Sequence, residues 1–220
     1  MTFLELVQRV WREVGYQGVG PADVTPTALQ ERRVVDWVQQ AHADIQSKWA
    51  DWKFLWVEGT LQTVDGTEDY AGPANLAVWE EDTVRIGDVE LEFIPFADYR
   101  RDRPVYTATG RPHSFTILPN NSIRLMPTPN AEYTIDFDYY RKPKVMSGNA
   151  DTPLIPVDYH DAIVWLAKVL WAQFDEATEQ GQAAGGLFEA AMKRLQNDQL
   201  PSRDNHNRRQ SGVDIMVVPQ

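Results

Sequence analysis

Side chains able to do chemistry are few and scattered in this 220-residue chain. It has no cysteine, which removes disulfides, thiolate metal sites and thiol nucleophiles. The four histidines are His42, His113, His160 and His206, and no two stand at metal-ligand spacing. We read them as structural or surface groups. Asp136 and Asp138 fall on one face of a strand and form the one candidate carboxylate pair, but an outward polar face accounts for them more simply. Acidic runs occur at 65–69, 80–82 and 175–179, and the first lacks the residue order of a calcium loop. Gly15, Gly18 and Gly20 lead into Pro21 rather than a Lys-Ser/Thr pair, so they mark a turn and not a phosphate loop. Neither a Gly-x-Ser-x-Gly elbow nor an HExxH helix is present. We therefore expect no catalytic residue, no metal and no cofactor.

Charge points elsewhere. The net charge is −11, which argues against wrapping nucleic acid, because phosphate binding needs surplus Lys and Arg. An acidic lumen through which DNA slides without sticking is compatible with it. Two basic clusters stand against this background: Arg100, Arg101 and Arg103, and Arg141, Lys142 and Lys144. Tyr139 and Tyr140 are the only aromatics beside the second, too few for a base-stacking platform. Solvated charge or salt bridges between subunits explain both clusters better, with Arg100, Arg101 and Arg103 meeting an acidic patch on a neighbouring copy. Eight tryptophans are many for this length and hint at further buried contact area.

The elements that must carry these residues are legible in outline. Thr2 and Glu5 stand at capping-box spacing, ahead of an apolar face of Phe3, Leu6, Val7, Val10, Trp11 and Val14. Gly15 then ends the first helix. A second helix is predicted from Thr27, capped by Thr27 and Gln30, to about Asp51, with the stripe Val34, Trp37, Val38, Ala41, Ile45 and Trp49. Residues 54–140 switch to short β-branched and aromatic segments split by turns. Hairpins are predicted about Gly87-Asp88 and about Pro119-Asn120-Asn121, and a short helix over 95–103. Over 133–139, Tyr133, Ile135, Phe137 and Tyr139 alternate with Thr134, Asp136 and Asp138. Helices return after Pro156. Asp158 is the predicted cap of the third, with Ile163, Leu166, Ala167, Leu170, Trp171 and Phe174 facing inward. Val164, Trp165 and Val169 lie off that stripe, so this helix should be covered on two sides, by its own bundle or by a neighbouring subunit. The fourth spans 176–197 and contains Gly181, Gly185 and Gly186, which mark a bend or a close crossing.

Together these predict an α+β chain: an antiparallel-type four-helix bundle of two N-terminal and two C-terminal helices, a β-rich insertion and an extended C-terminal arm. The boundaries fall at 1–52, 53–149, 150–200 and 201–220. Within the arm, 201–212 is polar, and it ends in an apolar string carrying Val213, Ile215, Met216, Val217 and Val218. Too short to pack alone, that string can add as a strand to another chain or fold back on its own assembly. No apolar run is long enough to cross a bilayer, since 162–172 is broken by Lys168, and no signal-peptide pattern opens the chain.

Two stretches carry a family likeness. They are Phe3-Leu-Glu-Leu-Val-Gln-Arg-Val-Trp-Arg-Glu-Val-Gly15 and Leu154-Ile-Pro-Val-Asp-Tyr-His-Asp-Ala-Ile-Val-Trp-Leu-Ala167, the latter continuing through Asp175-Glu-Ala to Leu200-Pro201. They resemble tailed-phage head–tail adaptor (connector) proteins, including the tail tubular protein A-like group. The likeness covers the helical portions and reaches the β-rich part only by position. It implies a non-enzymatic virion protein of the neck, made in the host cytoplasm, that forms a homo-oligomeric ring of twelve copies beneath the portal protein. It further implies a conduit through which genomic DNA passes without sequence-specific binding, a platform for tail or neck proteins, and a C-terminal extension that docks on the portal. The rival reading is a carbohydrate- or host-binding β-sandwich module of a phage tail, using Trp56 and Trp79 with Trp52 at the junction.

Overall fold

The computed structural model of the protein describes residues 1–102 and 108–201. Thr2 opens α1 (Phe3–Glu13) as its spacing predicts: its hydroxyl accepts from the Glu5 amide at 3.3 Å, and the Glu5 carboxylate accepts from the Thr2 amide at 2.8 Å. Phe3, Leu6, Val7, Val10 and Trp11 are buried along one side, and Gly15 follows at φ 81°. Helix α2 (Leu29–Ser47) departs from expectation at both ends. Ala28, not Thr27, takes the cap position, and no side chain caps it. Val35 and His42 are buried on α2, whereas Trp37 is only half-buried and Trp49 lies beyond the helix, edge-on to Trp52. A 3-10 turn over Lys53–Leu55 follows.

The chain divides into two compact units, Met1–Leu55 with the chain from Pro143 onward, and Trp56–Lys142. In the first unit a 3-10 turn over Val157–Tyr159 leads into α4 (His160–Phe174), so Asp158 sits in the turn and does not cap the helix. Helix α5 (Thr178–Gln199) packs along α4, and α4 also packs on α1 and α2. Helices α4 and α5 approach closely at Gly181, where an added Cβ would come within 3.1 Å of the Ala172 Cβ, while Gly185 and Gly186 face open space. Arg9 ties α1 to the start of α4 through Asp161 at 2.6 Å.

The second unit has a core of its own. Strands β1 (Trp56–Gln62), β10 (Thr134–Arg141), β3 (Leu76–Ile86) and β4 (Val89–Glu90) form an antiparallel sheet in the order β1-β10-β3-β4. A second sheet runs β2 (Asp69–Tyr70), β8 (Ile123–Met126), β7 (Ser114–Ile117), β5 (Glu92–Phe93), its last pair parallel. Helix α3 (Phe96–Asp102) lies against β7, and β6 (Thr109–Gly110) pairs in parallel with β9 (Thr128–Pro129). The alternation read from sequence holds in β10: Ile135, Phe137 and Tyr139 are buried against Trp79, Val84, Phe115 and Leu125. At Gly59, an added Cβ would stand 2.6 Å from the Phe137 ring, so the strand needs glycine there.

The expected four-helix bundle with a β-rich insertion is thereby corrected. Among the described residues there are five helices and ten strands, and the sheets are substantial enough to enclose their own buried cluster. The class remains α+β. The reason is cross-strand pairing: each short segment finds a partner strand and buries one face against the other sheet, so these residues form a separate core rather than an appendage.

Candidate functional site

The apolar circumference of α4 is largely used inside its own unit. Val164, off the predicted stripe, is fully buried, and Trp165 and Val169 are half-buried. Lys168 lies 6.0 Å over the Trp165 ring and 3.9 Å from Glu13. Exposure appears instead at the end of the helix. Phe174 is open to solvent, tilted 5.8 Å from Trp37, with the Arg33 guanidinium 4.3 Å above its ring. Sequence reasoning placed Phe174 in the core. Its period is right, but α4 ends there, and the contacts with Trp37 and Arg33 leave it 54% exposed.

Arg100 and Arg101 lie on the exposed side of α3. Arg101 pairs with Asp98 at 2.9 Å, and Arg100 sits 5.9 Å over Phe96. Arg103 falls outside the described residues, as do Val213, Ile215, Met216, Val217 and Val218. The buried anchor of α3 is Tyr99, whose hydroxyl accepts from Arg124 at 2.8 Å, while Arg124 also forks onto both Asp69 oxygens and reaches Glu68 at 3.2 Å. These acceptors hold the Arg124 guanidinium well above its ordinary pKa, against the cost of its partial burial. The second basic cluster is divided, Arg141 and Lys142 ending the β unit and Lys144 belonging to the other. There the Lys144 ammonium donates to the Thr152 carbonyl at 3.0 Å.

Asp136 and Asp138 do share one face, the outward face of the first sheet. Its rows can be read across three strands: Trp56, Tyr140 and Val78; then Glu58, Asp138 and Glu80; then Thr60, Asp136 and Arg85. Partial burial, with Glu58 nearby, raises the Asp138 pKa, and Arg85 opposes this. Glu81 is raised by partial burial and by Asp82 and Glu80. Of the tryptophans in or beside the strands, Trp52 and Trp79 are buried, Trp79 donating to the Asn121 carbonyl at 3.1 Å. Only Trp56 is open, so a multi-tryptophan sugar platform is not formed.

A family model described as SU10 adaptor protein matches residues 1–213. The chain belongs to the SU10 adaptor family. This is a family of phage head–tail adaptors, the kind the two helical stretches resemble, and it is a structural one. Membership makes the chain a component of a phage particle. The match spans both units and stops at Val213, the first residue of the apolar string. No curated protein matches the chain.

Within this SU10 adaptor, the histidines do not converge. His42 is buried on α2, its Nδ1 3.2 Å from the Gln46 amide nitrogen. His160 is buried at the start of α4, with Nε2 2.9 Å from the Ile155 carbonyl and Nδ1 3.0 Å from the N-terminal amine. His113 is exposed, and His206 lies outside the described residues. Among the described residues no group of three His, Asp or Glu side chains is placed to hold a metal ion. No described helix is long and apolar enough to cross a membrane.

Proposed function

We propose that this adaptor forms a homo-oligomeric ring, of twelve copies, beneath the portal, lining a conduit for genomic DNA and presenting a platform to tail or neck proteins. The match to the adaptor model across both units carries this reading. The acidic balance of the chain agrees with it, since a wall of net charge −11 per copy repels the DNA phosphates it must let pass. In the same reading, Val213, Ile215, Met216, Val217 and Val218 dock on the portal, and Arg100, Arg101, Arg103, Trp165 and Val169 lie at subunit contacts. Trp165 and Val169 contribute what half-burial leaves available. Arg100 and Arg101 contribute charge on an exposed helix.

Electron microscopy of the full chain mixed with purified portal particles tests the proposal. The expected outcome is annular density coaxial with the portal, on one end only. Portal particles that remain unchanged at a large excess of chain would overturn it.

A further inference from the structure

The outward face of the β1-β10-β3 sheet sets an aromatic and aliphatic row beside an acidic one. Its first row, Trp56, Tyr140 and Val78, places an indole, a phenol and an aliphatic side chain side by side across three strands. Trp56 is 41% exposed and Val78 44% exposed. The next row is wholly acidic, Glu58, Asp138 and Glu80, and Asp136 stands in the third beside Arg85. Four carboxylates therefore share a patch three strands wide with Arg85. Along a strand, rows on the same face lie about 7 Å apart. That is within the span of one long cationic side chain, whose stem lies on the aromatic row while its head reaches the acidic one.

We propose that this face receives the Arg100–Arg101 side of α3 from a second copy of the chain. A guanidinium suits both rows: it stacks flat on indole or phenol and forks onto a carboxylate. The chain carries such groups on an exposed helix, where Arg101 pairs with Asp98 and Arg100 lies over the Phe96 ring. Helix α3 lies against β7 of the other sheet, so donor and acceptor are two different patches on one unit. A contact between unlike patches is heterologous, the kind that propagates from copy to copy and closes a ring. The raised pKa of Asp138 agrees, since partial burial disfavours its charge and Glu58 adds to this against the opposing Arg85, a cost that an incoming cation relieves. The inference rests on the ring reading and names the contact within it.

The absence of cysteine supplies a clean test. Glu80→Cys with Arg101→Cys in the full chain introduces the only two thiols. Assembled on portal particles and mildly oxidised, this variant is expected to give a ladder of disulfide-linked oligomers, and either single variant to give no ladder. Particles that bind chain as a ring but give no ladder overturn this contact and leave the ring standing. A portal that recruits no chain overturns both. Charge reversal supplies a second readout. Glu58→Lys with Glu80→Lys, or Arg100→Glu with Arg101→Glu, is expected to weaken assembly roughly tenfold, and all four changes together to restore it. Loss in both pairs without restoration overturns the proposal. So does an acid-face variant that still assembles into rings but no longer binds portal, since that outcome assigns the face to the portal.

Discussion

His42 is a titratable side chain placed where water does not reach. The Gln46 side-chain oxygen accepts from the Lys144 amide, and its nitrogen lies 3.2 Å from Nδ1 of His42 and 3.2 Å from the His42 and Lys144 carbonyls. Burial lowers the His42 pKa from 6.5 to about 4, with His160 and Lys144 adding smaller effects of the same sign. The folded value lies below the unfolded one, so the unfolded chain binds the extra proton. The stability this represents is complete above about pH 6.5 and is lost as pH falls towards 4. Between pH 7 and pH 5, wild-type protein should lose about 2 kcal/mol more unfolding free energy than His42→Gln, measured by denaturant titration. His160, whose pKa burial also lowers, stays in both proteins and cancels. Gly59 makes a different prediction. The Phe137 ring that a Cβ would strike is itself held between Trp79, 4.8 Å away, and Tyr139, 6.0 Å away. Gly59→Ala should cost about 1–3 kcal/mol in thermal unfolding. Phe137→Leu in the same chain should recover part of the clash, giving a coupling that unrelated positions would not have.

At the scale of elements, α3 is a short helix held by one buried tyrosine and one arginine fork. Arg124 joins β8 to β2 through Asp69 and to α3 through Tyr99, so its removal frees α3 at one end. Arg124→Ala should cost about 1.5–3 kcal/mol, as for hydrogen bonds to a charged group, and should speed tryptic cleavage at Arg100 and Arg101. An unchanged cleavage rate would show that packing on β7 alone holds the helix. How much of this was legible varies with the range of the interaction. The capping box of α1, the turn at Gly87-Asp88 and the alternation of β10 depend on neighbours within a few residues, and sequence spacing identifies each. Caps were less secure: Thr27 and Asp158 have the right chemistry, but the backbone enters α2 and α4 one or two residues further on. The bundle expectation failed because it counted helices and did not weigh the strands, whose pairing joins residues as distant as Trp56 and Tyr140. For the same reason the aromatic and acidic rows of the sheet were invisible in sequence. Asp136 and Asp138 pair by strand alternation alone, but Glu58 and Glu80 join them only through register.

For the whole molecule, the open quantity is what its surfaces do in an assembly. Net charge predicts that duplex DNA is not bound at physiological salt, and mobility-shift titration should show no retarded species at micromolar chain. The terminal string is the other lever. Residues 202–211 all carry polar side chains, and Val213, Ile215, Met216, Val217 and Val218 follow as an apolar run interrupted only by Asp214. A run of this length has too little area to form a core, but as an added strand it would gain backbone hydrogen bonds and side-chain pockets together. Its energetic value is therefore realised against a partner. Deleting residues 212–220 leaves every described core residue of both units in place, so the melting temperature should stay within a few degrees of the full chain. Portal binding should fall by at least tenfold, measured by co-sedimentation. If binding survives the deletion while the ring itself is lost, the string serves contacts between copies, and the alternative of folding back on its own assembly is the correct one.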